Sequence, residues 1–356
     1  MQSPRRHSGQ PLRILFIGAD LSTGGGVNKV IRDLAVLFTR ELNAEVTVVG
    51  ARSSDAPTYD FLAEVHLERH ERRSLPAYFN LILSLRRRRF DVVISSWTQD
   101  NILVALGFAG SGTRVVLAEH APRHFHSWPV RALRRLLYPL ATTVVAINGR
   151  DCTYYQRFLR DVRLIPNPVA SPDPGLASAK QKLVLAVGHL EPLKQFDQAL
   201  RAMARSGIEQ QGWTLAIIGA GSCETELRAL IDHLGLKKTT IHSGPQDLGP
   251  WYAKASLLLV TSRRESFSLV LAEAMAAGVV PIAYASDGPA MILEEFPEQL
   301  VAVGDIEGLA NTLRRDATRD VPDGFRAELC SSVQRRFSPD TVMHAWKKLL
   351  GARHED

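Results

Sequence analysis

Ten short apolar runs, five on each side of a proline cluster, constrain this chain more than any other feature. The first set occupies residues 13–18, 45–49, 91–95, 114–118 and 142–147; the second occupies 183–187, 214–218, a weaker 239–242, 256–260 and 279–283. Uninterrupted runs of Val, Ile and Leu belong to strands buried on both faces, and the helix-forming segments between them supply the cover. Each half is therefore expected to be an α/β, doubly wound, Rossmann-like parallel sheet. Between Pro166 and Gly175 stand four prolines, a composition that ends one domain and begins another. At 356 residues the chain is too long for one ordinary core and fits two of about 150–180 each. The expected division is a disordered tail at 1–11, a domain at 12–168, a linker at 169–180, a second domain at 181–338, and a last helix at 339–356 crossing back to the first domain. No fixed-period repeat is visible, so the architecture is duplicated rather than solenoidal.

Composition narrows the class. Hydrophobic residues at 45% and charged residues at 22% describe a soluble globular chain. No apolar run approaches the roughly 18 residues needed to cross a bilayer, and the stretch at 12–17 is too short for a signal peptide. Cys152, Cys223 and Cys330 form neither a metal motif nor an even disulfide set, which points to a reducing cytoplasm. The net charge of +6 is unevenly shared. Residues 1–170 hold 23 Lys and Arg against 14 Asp and Glu, a net +9, while the remainder holds 20 against 23, a net −3. The basic half suits an anionic partner such as a lipid headgroup or a pyrophosphate. Nucleic acid is not expected, because no recognised motif or aromatic interleaving accompanies the charge.

The densest chemistry lies between Glu265 and Glu273. Leu257 to Thr261 has the character of a buried strand, and Leu269 to Ala277 is rich in helix formers and stops at Gly278. One carboxylate thus sits on a strand-to-helix loop and the other inside the helix. Ser266 or Ser268 is placed to cap that helix, leaving the amides of Phe267, Ser268 and Leu269 to face an anion. Carboxylates beside such amides suit a sugar joined to a phosphate. An isolated Glu pair at this spacing is ordinarily solvated surface. However, the whole stretch Ser262-Arg-Arg-Glu265-Ser-Phe-Ser-Leu-Val-Leu-Ala-Glu273-Ala-Met-Ala-Ala-Gly278 resembles the Glu-seven-residues-Glu signature of GT4 retaining glycosyltransferases.

Other segments join that resemblance. Gly25-Gly26-Val-Asn-Lys, after the first strand, is similar to the family's glycine loop, which closes over the donor diphosphate; it lacks the Lys-Ser ending of an ATPase loop. The segment Gly188-His189-Leu-Glu-Pro-Leu-Lys194 resembles the family's diphosphate grip, with Lys194 in place and His189 where an arginine is usual. Gly219, in Gly219-Ala-Gly221, and Gly244 fall on turns that lie near the nucleotide base in the family. Without a third glycine, the former is a poor dinucleotide fingerprint. His120, at the end of the fourth run, is implied as a donor-sugar contact. With Glu265 and Lys194 it makes the expected catalytic set. The resemblance implies the GT-B arrangement of two Rossmann-like domains across a cleft.

A helix over residues 128–140 is two-faced. Val130, Leu133, Leu136, Leu137 and Leu140 fall on one side, expected to be buried; Arg131, Arg134, Arg135 and Tyr138 fall on the other, expected to be solvated. With Arg86, Arg87, Arg88 and Arg89, this basic face is a candidate contact for anionic lipid or an acceptor's pyrophosphate. His124 and His126 lack acidic or Cys partners at ligand spacing, so no metal site is expected, and the metal-holding Asp-x-Asp of other glycosyltransferases is absent.

The resemblance therefore implies sugar transfer with retention from a nucleotide-diphosphate sugar, the nucleotide sugar being a co-substrate with no further cofactor. The variant 283–289, Ala-Tyr-Ala-Ser-Asp-Gly-Pro, is similar to enzymes extending bacterial surface polysaccharides or lipid-linked oligosaccharides. That favours a UDP-linked hexose or N-acetylhexosamine, a glycan or polyprenyl-diphosphate-linked acceptor, and a cytoplasmic enzyme peripheral to the inner membrane face. The alternatives are a nucleotide-sugar epimerase of the same fold and a catalytically silent sugar-nucleotide binding protein.

Overall fold

The computed structural model describes residues 10–19, 21, 25–50, 60–61, 63–70, 74–172, 179–244, 246–319 and 321–351. Most of the expected tail, Thr23 and Gly24 of the glycine loop, linker positions 173–178 and the last five residues lie outside them. The chain divides into two compact units, Met1–Pro168 with Pro339–Asp356, and Val169–Ser338.

In the first unit the strands are β1 (Arg13–Ala19), β2 (Glu45–Gly50), β3 (His66–Arg69), β4 (Val92–Ser95), β5 (Arg114–Glu119), β6 (Thr143–Ala146) and β7 (Val162–Leu164). They form a parallel sheet in the order β3-β2-β1-β4-β5-β6-β7. Connecting helices are α1 (Gly26–Glu41), α2 (Leu75–Arg86), α3 (Thr98–Gly107), α4 (Trp128–Leu137) and α5 (Gly149–Gln156). Ile14, Leu15, Phe16 and Ile17 are buried on alternating faces of central β1, which is why that run carries no polar residue. Val30, Ile31, Leu34, Ala35 and Phe38 make the buried face of α1.

The second unit contains β8 (Gln181–Val187), β9 (Thr214–Ile218), β10 (Thr239–His242), β11 (Ala255–Val260), β12 (Val280–Tyr284) and β13 (Leu300–Val301). Their order is β10-β9-β8-β11-β12-β13, again parallel. Its helices are α6 (Phe196–Ser206), α7 (Glu224–His233), α8 (Gly249–Lys254), α9 (Leu269–Ala276), α10 (Asp287–Ile292), α11 (Ile306–Thr318) and α12 (Asp323–Phe337). The last helix, α13 (Pro339–Leu350), belongs to the first unit. There its Trp346 meets Phe38 edge-on at 5.3 Å, and Lys347 pairs with Glu41 at 3.1 Å.

Strands β3, β7 and β13 have no counterpart among the apolar runs. Each lies at a sheet edge, and β13 is only two residues long, so none needs an unbroken apolar stretch. In both sheets the order reverses at the centre, between β1 and β4 and between β8 and β11. Such a reversal opens a crevice beyond the strands' C-terminal ends, where α/β folds bind ligands.

Part of the two-faced segment 128–140 is turned opposite to expectation, while Val130 and Leu137 pack against the core as expected. Arg134 is 0% exposed and Tyr138 is 1%, whereas Leu136 is 70% exposed and Leu133 and Leu140 are about half exposed, at 46% and 45%. The cause is Glu119, a buried carboxylate at the end of β5. Tyr138 donates its hydroxyl hydrogen to Glu119, and Thr98 Oγ1 and the Asn101 amide donate at 3.0 and 2.8 Å. Arg134 stands 3.8 Å away, donates to the Arg123 carbonyl at 2.7 Å, and lies over the Tyr154 and Tyr155 rings. A buried carboxylate requires a partner more strongly than the leucines require burial, so the helix turns its cation inward. Arg134 is thereby removed from the expected basic surface. Arg135 remains exposed over Phe158, and Arg131 is half-buried.

Candidate active site

The loops leaving β8 and β11, adjacent strands at the sheet reversal, carry the principal charged pair. Lys194 ends a single 3-10 turn, Pro192–Lys194, after which Gln195 takes a left-handed conformation and starts α6. Two bonds fasten this turn to the β11 loop: Thr261 Oγ1 donates to the Lys194 carbonyl at 2.8 Å, and the Arg263 amide donates to the Leu193 carbonyl at 3.0 Å. Lys194 Nζ consequently reaches Glu265 Oε2 at 2.6 Å. Both side chains keep about a quarter of their surface, 26% and 20%, and remain accessible to a ligand.

The backbone around Glu265 is set by α10. The Gly288 amide donates to the Glu265 carbonyl at 2.7 Å, and a Cβ on Gly288 would lie 2.4 Å from the Phe267 oxygen. Only glycine permits that approach. The Phe267 side chain is buried edge-on against Phe337, so Phe267 offers the site its backbone alone. Ser268 is the N-cap residue of α9 but has φ 78 and makes no side-chain cap bond, contrary to the expected serine cap. The amides of the first turn, beginning at Leu269, thus carry no bond from the Ser268 side chain and suit an external anion. Further along α9, half-buried Glu273 accepts a 3.0 Å bond from Tyr252 Oη. Burial, then the nearby carboxylate, holds the Tyr252 phenol well above its ordinary pKa, so it stays a donor.

The neighbouring β9 loop is fitted against the β8 loop. A Cβ on Gly219, whose φ is +150, would fall 1.9 Å from the Gly188 carbonyl oxygen. Ser222 donates to Glu191 through its amide at 3.1 Å and its hydroxyl at 2.8 Å, and these bonds lower the Glu191 pKa. Exposed His189 sits on the same β8 loop. Gly244, half-buried with φ +87, follows β10 at the sheet edge. Lys194 and Glu265 are thus in direct contact, and His189, Gly219, Phe267, Ser268, Leu269 and Glu273 occupy the loops and helix start beside them.

Gly25, Gly26 and His120 belong to the first unit, at the C-terminal edge of its own sheet. Gly25 starts α1, accepting from the Lys29 amide at 3.1 Å, and exposed Gly26 is the first helical residue. His120 follows Glu119 directly, and desolvation pushes its pKa down to about 4, keeping the imidazole neutral. Arg86 donates to the Gly107 carbonyl at 3.0 Å, and Arg88 grips Glu68 through both carboxylate oxygens. Arg86, Arg87, Arg88 and Arg89 precede β4, at the edge where the strands of this sheet begin. Among the described residues, no three His, Cys, Asp or Glu side chains cluster as a metal site, and no helix is long and apolar enough to cross a membrane.

Two family models divide the chain: Glycosyltransferase Family 4 matches residues 24–171, and Glycosyl transferases group 1 matches residues 171–316. The chain belongs to the GT4-type glycosyltransferases. It is 26% identical over 357 residues to a Campylobacter jejuni enzyme, GalNAc-alpha-(1->4)-GalNAc-alpha-(1->3)-diNAcBac-PP-undecaprenol alpha-1,4-N-acetyl-D-galactosaminyltransferase, covering 95% of this chain and 98% of that one. An exopolysaccharide phosphotransferase of Streptomyces coelicolor is 29% identical over 311 residues; the match takes in 84% of this chain but only 31% of that protein. Among solved structures, Anabaena HepE in complex with UDP and glucose superposes with a TM-score of 0.75 at 19% identity, over 96% of this chain and 100% of that one. That likeness is one of fold, and the fold of this glycosyltransferase is GT-B.

Tyr252 and Gly288, which steady the two glutamates, escaped the sequence reading. Tyr252 carries no local motif. Gly288 lies within the 283–289 segment, where a glycine beside a proline at a helix start is the only hint of the close approach.

Proposed function

We propose that this glycosyltransferase moves a hexose or N-acetylhexosamine from a UDP-sugar, with retention and without a metal ion, to a hydroxyl of a glycan or polyprenyl-diphosphate-linked acceptor. The observation that carries the reading is the Lys194–Glu265 contact beside the uncapped start of α9. A cation, a carboxylate and free helix amides within one crevice suit the junction of a diphosphate and a sugar. Lys194, His189 and the amides at Phe267, Ser268 and Leu269 stabilise the departing diphosphate, whose charge grows as the glycosidic bond breaks. Glu265 accepts hydrogen bonds from the sugar hydroxyls, and Glu273, steadied by Tyr252, accepts from the ribose. Neutral His120 can donate to a sugar oxygen, and Gly25 and Gly26 let the chain close near the phosphates. In same-face transfer the leaving phosphate oxygen takes the acceptor's proton, so no side-chain base is assigned.

The names of the relatives supply the choice of substrates. The Campylobacter jejuni relative is named for an undecaprenol-diphosphate acceptor, and HepE was crystallised with UDP and glucose. An enzyme acting on such an acceptor works at the inner face of the cell membrane, and the exposed apolar face of α4 suits it to that surface.

A thermal-shift screen of UDP, GDP and ADP sugars, followed by transfer assays with EDTA present, tests this reading. Stabilisation by a UDP-sugar and EDTA-resistant transfer of an α-linked sugar to a lipid-linked acceptor are expected. Epimerised nucleotide sugar formed without acceptor would instead identify the epimerase. Transfer undiminished in Glu265→Ala would overturn the site.

A further inference from the structure

Lys180 ties together the two helices that carry Tyr252 and Glu273. It stands directly before β8, and its ammonium donates to the Tyr252 carbonyl at 2.7 Å and to the Ala277 carbonyl at 2.8 Å. The first oxygen belongs to the last turn of α8 and the second to the C-cap of α9, positions where carbonyls find no partner within their own helix. A cation there also complements the negative end of each helix.

Tyr252 is thereby held at two points, since its hydroxyl donates to Glu273 Oε2 at 3.0 Å. Glu273 lies one turn before Ala277, whose amide donates to the Glu273 carbonyl at 3.1 Å. These bonds close a ring: Lys180 to Tyr252, Tyr252 to Glu273, Glu273 to Ala277 along α9, and Ala277 back to Lys180. Opening the ring at Lys180 leaves the phenol–carboxylate bond as its remaining link between the helices, and α8, only six residues long, can then shift against α9.

Other donors meet the end of α9 without reaching α8. Arg326 of α12 donates to the Gly278 carbonyl at 2.6 Å, and Cys330 Sγ to the Met275 carbonyl at 3.4 Å. Burial, then the neighbouring Arg326, lowers the pKa of Lys180 to about 8. A half-buried ammonium beside a guanidinium is costlier to hold than an apolar side chain of its length. What the ammonium adds is a pair of charge-assisted bonds to carbonyls of two different helices.

We propose that Lys180 is a positioning residue for donor binding: it holds the Tyr252 backbone against the end of α9, which keeps the phenol on Glu273 and the Glu273 carboxylate aimed at the nucleotide ribose. This rests on the ribose role proposed above for Glu273, and it extends the donor site to a residue outside every donor motif.

The test is calorimetric titration of UDP, and separately of inorganic pyrophosphate, into the full chain and its variants. Lys180→Met is expected to weaken UDP about fivefold or more, while pyrophosphate, which has no ribose, stays within about twofold. Tyr252→Phe should weaken UDP to a similar extent, and the double variant should bind little worse than either single one, because both act through Glu273. Lys180→Arg, which keeps a cation over the two carbonyls, should recover most of the affinity. Lys180→Gln gives the same reading where the Met variant does not fold. Equal weakening of UDP and pyrophosphate, or additive losses in the double variant, would make Lys180 a purely structural part and overturn the proposal. UDP binding weakened by Glu273→Gln but untouched by Lys180→Met would sink this inference and spare the ribose assignment. UDP binding untouched by Glu273→Gln would sink that assignment, and this inference with it.

Discussion

Lys194 Nζ and Glu265 Oε2 lie 2.6 Å apart although 71 residues separate them in the chain. Their meeting is a product of topology: β8 and β11 are neighbours across the point where strand order reverses, and each residue sits on the loop just beyond its strand. Because both side chains are partly exposed, the pair contributes no more than about 1 kcal/mol to folding. Its consequence is functional. Lys194→Met is expected to leave thermal stability within a few degrees and to weaken UDP binding roughly tenfold or more, through loss of a charge-assisted contact. Glu265→Gln should keep UDP binding and lower transfer about a hundredfold. Calorimetry with UDP and steady-state transfer rates separate the two effects.

Backbone proximity makes a sharper structural prediction. At Gly219 a methyl group would lie 1.9 Å from the Gly188 oxygen, at a φ of +150 that side chains avoid. Gly219→Ala therefore has to separate the β8 and β9 loops, at a cost of about 2–4 kcal/mol. Gly288→Ala meets the Phe267 oxygen at 2.4 Å and pushes on the Glu265 loop. Denaturant midpoints report the first variant. For the second, the informative result is a loss of transfer larger than the loss of stability.

The strands and the loop-and-helix segment that carries Glu265 and Glu273 were legible because both are written locally. An unbroken apolar run declares a strand buried on both faces, and the glutamate spacing across a loop and helix start keeps its meaning wherever the loop lies. The orientation of α4 was not legible. Helical periodicity finds two faces, but which face turns inward depends on Glu119, whose burial follows from the position of β5 in the sheet. Nor was it legible that Ser268 takes a left-handed conformation instead of capping α9.

The Glu119–Arg134–Tyr138 cluster yields a prediction from charge burial. Removing one partner leaves an uncompensated charge among aromatic rings, so Arg134→Met and Glu119→Gln should each cost about 3–5 kcal/mol. The double variant leaves two neutral groups and should cost well below the sum. A double-mutant cycle in urea measures that coupling, and strict additivity would mean that the two groups do not interact.

His120 sets a pH dependence. The unfolded chain takes up its proton near pH 6.5 and the folded chain only near pH 4, so the unfolded state binds more protons between those values. The contribution is complete above pH 6.5 and is lost as pH falls toward 4, amounting to no more than about 3 kcal/mol. The stability difference between wild type and His120→Gln should therefore shift across this window and stay flat from pH 7 to 9. An NMR titration of the imidazole with its inflection near 6.5 would contradict the burial argument.

The exposed leucines of α4 change what a membrane experiment should find. Had arginines alone made up the exposed face, binding to vesicles would depend mainly on anionic lipid and vanish in high salt. With Trp128 and Leu136 outermost and Arg135 at the flank, insertion of apolar side chains adds a part that salt does not screen. Leu136→Ser and Trp128→Ser remove mostly exposed surface, so folding should change by less than about 1 kcal/mol in each. Binding to phosphatidylglycerol-containing vesicles should nevertheless fall several-fold. Arg135→Gln should lower binding only at low salt. Vesicle co-sedimentation across salt concentrations distinguishes the two contributions, and complete release of the wild type by salt would show that the apolar strip does not enter the bilayer.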